Sequence, residues 1–282
     1  MKAELRFGSA GMPLAMKGRK LSEGISYCAG KGLKAFEVEW VQGVRIRKED
    51  IAEAKKIAEE KDVLLSCHAP YFINCCSPLK DKQETSIRNL MQSARAAAQL
   101  GIRIIVFHPG FYQGMPKEQA ASNAEKLLKH IVEKMKKEKL NVLLGAETTG
   151  KPSQYGSLDE IISLCKKIGT DKMMPCVDFA HIHARENGKI KSKEDYEEIF
   201  NKIEKGLGKK ALEGLHCHFS GIVFSEKGER YHIPIDDSPP FNLLAEVIAR
   251  KNLKLTIICE SPLLDKDALK MKGIIERLSH RQ

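Results

Sequence analysis

The segment from residue 63 to residue 110 contains two short apolar runs, VLLSCHAP (63–70) and RIIVFHPG (103–110), with the stretch SIRNLMQSARAAAQLG (86–101) between them. The stretch between the runs repeats apolar residues every three or four positions, which is the period of an amphipathic helix. Gly101 stands at its end, where a glycine commonly terminates a helix. Two strands joined by a helix are typical of a parallel pair with a crossover, so the segment predicts a βαβ unit.

The same alternation of a β-rich run and a helical stretch extends from this unit to both ends of the chain. Six more runs have this character: LRFGSA (5–10), KAFEVEW (34–40), NVLLGAET (141–148), MMPCVDFAH (173–181), GLHCHFSG (214–221) and LKLTIICES (253–261). Eight strands that alternate with helices close into a (β/α)8 TIM barrel, which takes about 250 residues. We therefore predict an α/β fold with a single barrel domain over residues 1–282. The fallback is a doubly wound open sheet, whose dinucleotide-binding form is disfavoured because no GxGxxG follows the first strand.

The composition narrows the class of protein. The chain has 282 residues with 47 Lys and Arg against 37 Asp and Glu, a formal net charge of +10. This excess favours an anionic partner such as nucleic acid, although solvated helix faces give the same sum. No apolar run is long enough to cross a bilayer, and no signal peptide is evident. The eight cysteines form no CxxC pair, so we expect a reduced, cytoplasmic protein without a disulfide framework. We also expect a monomer that has no membrane partner.

Metal-capable side chains stand at the ends of almost all the predicted strands. In a barrel of this type those C-terminal ends build the active site. Several imidazoles and carboxylates in one small volume are costly to desolvate, and divalent cations offset that cost. The residues are His68, His108, Glu147, Asp178, His216 with His218, and Glu260, together with His181 and His232 in the following connections. Imidazole and carboxylate ligands without a thiolate predict zinc, manganese or iron rather than calcium.

The number of ligands indicates more than one metal ion. One ion uses three or four side chains, whereas eight of these nine residues, with one histidine of the pair His216 and His218 left out, fit two or three ions that share a bridging carboxylate. Clustered metal ions are typical of phosphoester hydrolysis, in which they stabilise both the attacking and the leaving oxygen.

Four cysteines close to these residues are expected to be buried packing residues. They precede or alternate with the candidate ligands, which places them on the opposite strand face against the outer helices. They are Cys67, Cys176, Cys217 and Cys259.

Seven short motifs, one after another along the strands, resemble the endonuclease IV family of apurinic/apyrimidinic endonucleases of base excision repair. They are CHAPYFIN (67–74), FHPG (107–110), AETTGKPSQYGS (146–157), CVDFAHIHA (176–184), HCHFS (216–220), YHIP (231–234) and CESP (259–262). Each is weakly specific alone, but together and in this order they are specific. The resemblance spans nearly the whole predicted barrel, and it implies a DNA-repair hydrolase with a trinuclear zinc site.

The resemblance also implies a role for each ligand. His68 and His108 would hold the first zinc, with Glu147 bridging to the second; Asp178, His216 and Glu260 would complete the second, and His181 and His232 would hold the third. His216 and His218 point to the same strand face, so the choice of His216 rests on the family match alone. A hydroxide between the first two ions would attack the phosphodiester 5′ to an abasic site and leave a 3′-hydroxyl and a 5′-deoxyribose phosphate. Glu147 and Glu260 would be the catalytic carboxylates, with Glu260 orienting or deprotonating the water.

One departure from the family concerns the third ion. The family usually has an Asp two residues before the His that matches His232, and this chain has Arg230 there. Glu229 is one residue away and could substitute only if the chain adjusts locally. We therefore expect two tight zinc ions and a weaker third, with manganese as the alternative metal.

The expected partner is double-stranded DNA with abasic sites. Tyr71 matches a family tyrosine at the flipped nucleotide, and its alternative is an aromatic residue at the rim. Arg45 and Arg47 in VQGVRIRK (41–48) would contact the duplex, and their alternative is a solvated first helical turn. Lys151 follows the fifth strand on the face of the site.

Two other classes of function remain open. A sugar isomerase or epimerase of the xylose isomerase-like class would hold one divalent ion with Glu147, Asp178, His216 and Glu260, and its two glutamates would move protons beside a carbonyl. That reading leaves His68, His108, His181 and His232 without a role. A non-catalytic barrel that binds DNA or stores metal would explain the charge but not the bridging carboxylate.

Overall fold

The computed structural model describes residues 4–236 and 238–279, and it shows strands and helices that alternate along the chain. In chain order the elements are β1 (Arg6–Ala10), α1 (Leu21–Gly30), β2 (Ala35–Glu39), α2 (Lys48–Glu60), β3 (Leu64–His68), α3 (Lys80–Leu100), β4 (Ile104–Phe107), β5 (Gly110–Phe111), α4 (Lys117–Lys137), β6 (Leu143–Glu147), β7 (Gln154–Tyr155), α5 (Leu158–Ile168), β8 (Met173–Asp178), α6 (Phe179–Arg185), α7 (Lys193–Leu207), β9 (Leu215–Phe219), β10 (Gly221–Ser225), β11 (Gly228–Ile233), α8 (Phe241–Lys251), β12 (Leu255–Cys259) and α9 (Asp265–Ser279). Short 3₁₀ turns lie at Leu14–Met16 and Lys209–Leu212.

Within the described ranges, eight of these strands form one closed parallel barrel in the order β1, β12, β9, β8, β6, β4, β3 and β2. The barrel closes because β1 pairs with both β12 and β2. Each of the eight runs predicted from the sequence contains one barrel strand, so the (β/α)8 prediction is confirmed. The open sheet is excluded by the same closure.

Local sequence signals set the helix ends and the buried helix faces. Gly101 ends α3 in the left-handed conformation, with φ 73°. Ser157 and Glu160 form a reciprocal capping box at the start of α5. Helix α4 buries a stripe with helical spacing against the barrel: Ala120, Ala124, Leu127, Leu128, Ile131 and Met135. Because the eight barrel strands are all parallel, their C-terminal ends open on one side of the molecule.

Two small antiparallel sheets cover that side of the barrel. Strands β5 and β7 form one of them, and β10 and β11 form a hairpin after the seventh barrel strand. This hairpin occupies the connection to which the sequence analysis assigns His232. His232 lies on β11, opposite Ile222.

No helix in residues 4–236 and 238–279 combines the length and the apolarity needed to cross a membrane. All eight cysteines fall inside these ranges, where they are free and buried. Cys67, Cys217 and Cys259 pack in the hydrophobic core as expected. Cys176 is a correction, because it faces the barrel interior beside His216 and His218. It lies two residues before Asp178, and residues two apart in a strand share a face.

Candidate metal centre

Glu147, the last residue of β6, lies at the centre of the predicted site and is fully buried. Its Oε2 is 3.2 Å from His68 Nε2 and 3.1 Å from His108 Nε2. Its other oxygen, Oε1, is 3.1 Å from His181 Nδ1 and 3.4 Å from His218 Nδ1. The two oxygens therefore face different groups of imidazoles, which is the geometry that a bridging carboxylate requires.

A second group of donors lies on the Oε1 side of Glu147. The ligand atoms of Glu147, Asp178, His218 and Glu260 all lie within 4.8 Å of one another. Glu260 Oε1 is 3.1 Å from His218 Nδ1. Among the described residues, Glu147 Oε1, Asp178 Oδ2 and His218 Nδ1 are buried without a hydrogen-bond partner. Buried polar atoms are normally paired, so three unpaired ligand atoms around one small volume fit a cation.

The structure places the two histidines of β9 at different levels of the barrel, and this favours His218 as the ligand. His218 is level with Asp178 in the barrel, whereas His216 is level with Cys176, one layer deeper. His216 Nε2 forms a 2.9 Å hydrogen bond with Glu37 Oε2. Both histidines face the interior, as alternation predicts, but only His218 reaches the group formed with Asp178 and Glu260.

Glu37 on β2 is a member of the site that the sequence reasoning missed. Its Oε1 lies 2.8 Å from His218 Nε2, so one carboxylate contacts both histidines of β9. A carboxylate on Nε2 leaves Nδ1 of His218 as the ligand atom, and such partners fix the orientation of metal-binding histidines. The signal was present in AFEVE (35–39), where two acidic residues alternate with apolar ones in a buried strand.

The predicted third pair, His181 and His232, is also brought together. The Nε2 atoms of the two rings are 3.3 Å apart. Glu229 Oε2 lies 3.2 Å from His181 Nε2. Asp178 and Glu260 border the same pair.

Backbone carbonyls fix the tautomers of three of the histidines. The Nδ1 of His68 donates to Ala69 O at 2.8 Å, and the Nδ1 of His181 donates to Thr148 O at 2.9 Å. The Nδ1 of His232 is 3.2 Å from the carbonyl oxygen of Glu260. A carbonyl only accepts, so Nδ1 carries the proton and Nε2 is left to bind a cation.

The electrostatics of the cluster are those of a site that needs positive charge. Burial opposes ionisation of Glu147, but the imidazoles of His108 and His218 outweigh it and hold the pKa of Glu147 far below its usual range. Burial alone would lower the pKa of His68, yet its hydrogen bond with Glu147 raises that pKa to about 9. Burial also raises the pKa of Asp178. Protons on the imidazoles thus supply the charge that divalent cations would supply, and the donor set fits zinc.

The site opens into a cavity of about 370 Å³ with an aromatic and basic rim. Tyr71 is 60% exposed, and its ring centroid lies 5.4 Å from that of His68. Phe111 and Tyr231 line the same cavity and are also exposed. Lys151 lines it as well, with Nζ 3.9 Å from Glu229 Oε1.

Arg45 and Arg47 lie elsewhere on the same end of the barrel. Both line a neighbouring cavity of about 250 Å³, together with Trp40 and Glu39. Glu39 is the register partner of His68, so the two cavities are separated by the ends of adjacent strands. The structure therefore brings Tyr71 and Lys151 to the metal centre but keeps the two arginines apart from it.

A closed parallel barrel with a candidate metal centre at its C-terminal strand ends defines the class of (β/α)8 barrels to which this protein belongs. Within that class the chain is a member of the Xylose isomerase-like TIM barrel family, whose pattern matches residues 25–277.

Relatives extend along most of the chain. An uncharacterized protein of Methanocaldococcus jannaschii is 36% identical over 267 residues, which is 94% of each chain. A probable endonuclease 4 of Nitrosopumilus maritimus is 29% identical over 233 residues, which covers 78% of this chain and 80% of that protein.

Solved structures of two different activities are similarly close. Endonuclease IV of Thermus thermophilus superposes with a TM-score of 0.70 at 18% identity, covering 95% of this chain and 99% of that one. A D-tagatose 3-epimerase-like protein gives 0.71 at 17% identity, covering 96% and 97%. These likenesses establish the fold, and the donor groups of the site must distinguish the activities.

Proposed function

We propose that this protein is a zinc-dependent endonuclease of DNA repair, which hydrolyses the phosphodiester 5′ to an abasic site and leaves a 3′-hydroxyl and a 5′-deoxyribose phosphate. The relatives named as probable endonuclease 4 support the class of reaction. The motifs that resemble the endonuclease IV family carry the same histidines and carboxylates that surround Glu147.

The observation that carries the proposal is the extent of the donor cluster. A one-metal isomerase needs four donors, and Glu147, Asp178, His218 and Glu260 already provide them. His68 and His108 nevertheless converge on the opposite oxygen of Glu147. A second group of donors on a bridging carboxylate is what phosphoester hydrolysis by clustered ions requires.

The reaction divides among residues with distinct surroundings. Bound zinc ions would activate water at neutral pH and stabilise charge on the leaving oxygen. Glu147 keeps the two donor groups at a fixed separation. Glu260 lines the cavity, and although burial opposes its ionisation, the nearby His218 lowers its pKa to about 2. Glu260 is therefore ionised at neutral pH and can accept a proton or a hydrogen bond from the attacking water.

The rim residues would hold the DNA. Glu147 is fully buried below the cavity mouth, so a base-paired nucleotide cannot reach it and must leave the duplex. The exposed ring of Tyr71 would stack on the extruded nucleotide or on the gap that it leaves. Lys151 would contact the scissile phosphate region, and Arg45 and Arg47 would contact the flanking backbone.

The proposal includes two or three zinc ions, with manganese as a substitute, and a monomer that acts in the cytoplasm. Eight free and buried thiols support a reducing compartment.

The test is incision of a duplex oligonucleotide that carries one abasic site. The zinc-loaded protein should cut 5′ to the site and leave a 3′-hydroxyl, and treatment with a strong chelator should abolish the cut. A folded, zinc-loaded protein that leaves the duplex intact would refute the nuclease.

A metal-dependent sugar isomerase or epimerase is the second candidate. The compact group of Glu147, Asp178, His218 and Glu260 favours it, since this set alone holds one divalent ion. Conversion of small ketoses with manganese, by a protein that binds one ion per chain and does not cut DNA, would establish it.

A further inference from the structure

We infer that Glu229 is the acidic ligand of the ion held by His181 and His232. Glu229 stands three residues before His232 rather than two as in the family, and we infer that a β-bulge compensates for the extra residue. The inference rests on the multinuclear centre of the proposed function. The family pattern places an acidic residue two positions before the histidine that matches His232, and the chain has Arg230 there.

The pairing of the β10–β11 hairpin shows how the extra residue between Glu229 and His232 is accommodated. Ile222 is opposite His232, and Val223 is opposite Tyr231. The next residue, Phe224, is opposite Glu229, so Arg230 is the extra residue of a bulge. Residues paired across an antiparallel ladder share a face, and those at successive pairs alternate.

This register places Glu229 and His232 on the same face of the hairpin. In a regular strand, residues three apart would face opposite sides. With Arg230 taken up by the bulge, the acidic residue and the histidine are two ladder positions apart. Arg230 is therefore equivalent to a one-residue insertion into the family pattern, and Glu229 takes the acidic position.

The surroundings of Glu229 are those of a ligand. Its Oε2 lies 3.2 Å from His181 Nε2, the same atom that approaches His232 Nε2 at 3.3 Å. Oε2 is buried and has no hydrogen-bond partner in the described part of the chain. The other oxygen faces Lys151.

Gly150 makes room for this carboxylate. The Glu229 amide donates to Gly150 O at 3.0 Å, so the two backbones are in contact. A Cβ on residue 150 would lie 2.0 Å from Glu229 Oε2 and 2.8 Å from Glu229 Cβ. Gly150 therefore permits the approach of Glu229 to His181, and any side chain there would push the carboxylate away.

The test measures zinc bound per chain after dialysis against a chelator buffer, together with the melting temperature. Wild-type protein should retain three ions. The Glu229→Gln variant should retain two while its fold stays the same as that of the wild type. Gly150→Ala keeps the carboxylate but displaces it, so it should lose the same ion.

Two controls test the bulge itself. Arg230→Ala should retain three ions, because its side chain is not a ligand. Deletion of Arg230 restores regular pairing with Glu229 two residues before the histidine, and it should also retain three.

Equal zinc content in wild-type and Glu229→Gln protein, at any stoichiometry, would overturn the inference. Loss of an ion in the Arg230 deletion but not in Glu229→Gln would overturn it as well, since zinc binding would then depend on the hairpin backbone and not on the carboxylate. These readouts are independent of DNA cleavage, so a failure of the proposed function would appear separately in the incision assay.

Discussion

Two carboxylates thirteen positions apart in the chain, Glu147 and Glu160, occupy opposite kinds of environment. The Oε1 of Glu160 accepts from Tyr112 Oη at 2.6 Å. Its Oε2 accepts from the amides of Gly156 and Ser157 and from Ser157 Oγ, at 3.1, 2.9 and 2.8 Å. The hydrogen-bond donors around Glu160 therefore come from the chain itself.

Glu147 is more deeply buried, and neither an amide nor a hydroxyl of the described residues donates to it. Its surroundings are imidazole nitrogens, and its Oε1 has no hydrogen-bond partner within residues 4–236 and 238–279. A buried charge is tolerated only when it is paired. The comparison shows that amides, hydroxyls and the Arg185 guanidinium, 3.8 Å from Oε2, stabilise Glu160, whereas Glu147 is surrounded by imidazoles whose charge depends on protons or on a bound cation.

The largest expected effect separates the two carboxylates directly. Glu147→Gln should reduce incision at abasic sites by at least about 10³-fold, because the bridge between the donor groups is lost. Glu160→Gln should keep incision within about tenfold and instead lower the free energy of unfolding by about 1–3 kcal/mol, since buried hydrogen bonds to a charged group are lost. Incision kinetics and denaturant melts of both variants show whether one loses activity and the other loses stability. Cleavage by Glu147→Gln at the wild-type rate would remove the bridging role.

The two histidines of β9 allow a direct metal ligand to be compared with a supporting residue in the same strand. His218→Asn should cost about 10³-fold in incision and remove bound metal, because a direct donor is lost. His216→Asn should cost about 10–100-fold in metal affinity, because only a contact to Glu37 is lost. Metal analysis and incision by the two purified variants decide the order. A greater loss in His216→Asn would restore the choice that the family resemblance favours.

An effect of the same size as that of His216→Asn is expected at Glu37, which contacts His218 directly. Glu37→Gln keeps the shape of the side chain but weakens its hold on His218, and it should lower zinc affinity by about 10–100-fold. Competition with a chromophoric chelator measures this change. Unchanged affinity would show that β9 alone orients the ligand.

The smallest effect concerns acid stability. Burial opposes ionisation of Glu160, but hydrogen bonds from Tyr112, Ser157 and Gly156 prevail and lower its pKa. A depressed carboxyl pKa stabilises the fold above the unfolded value of about 4.3, and that contribution is lost as pH falls through the folded value. Below about pH 4 the metal-free wild type should therefore lose more of its melting temperature than Glu160→Gln does. Parallel loss in both proteins would contradict this.

Most of the fold followed from the sequence because its signals are local. Apolar runs, amphipathic stretches and caps such as Gly101 and Ser157 act within a few residues. The convergence of His68, Glu147 and Asp178 was equally accessible, since parallel strands bring their C-terminal ends to one side of a barrel.

The sequence could not settle the points that long-range register decides. His216 and His218 point to the same face, and only the pairing of β9 with β8 shows which is level with Asp178. The position of Glu229 depends on a bulge that the residue types around it do not predict. Glu37 is different, because acidic residues in a buried strand were visible in the sequence and could have been weighed as site residues.

The β10–β11 hairpin stands outside the barrel, yet it carries His232 and Glu229. The four donors that suffice for a single ion are at the ends of barrel strands, whereas this hairpin is one connection between two of them. A change in the length or sequence of the hairpin would therefore alter these two donors while the strands of the barrel keep their own pairing. In the proposed function, one surface connection thus sets the number of ions that the barrel holds.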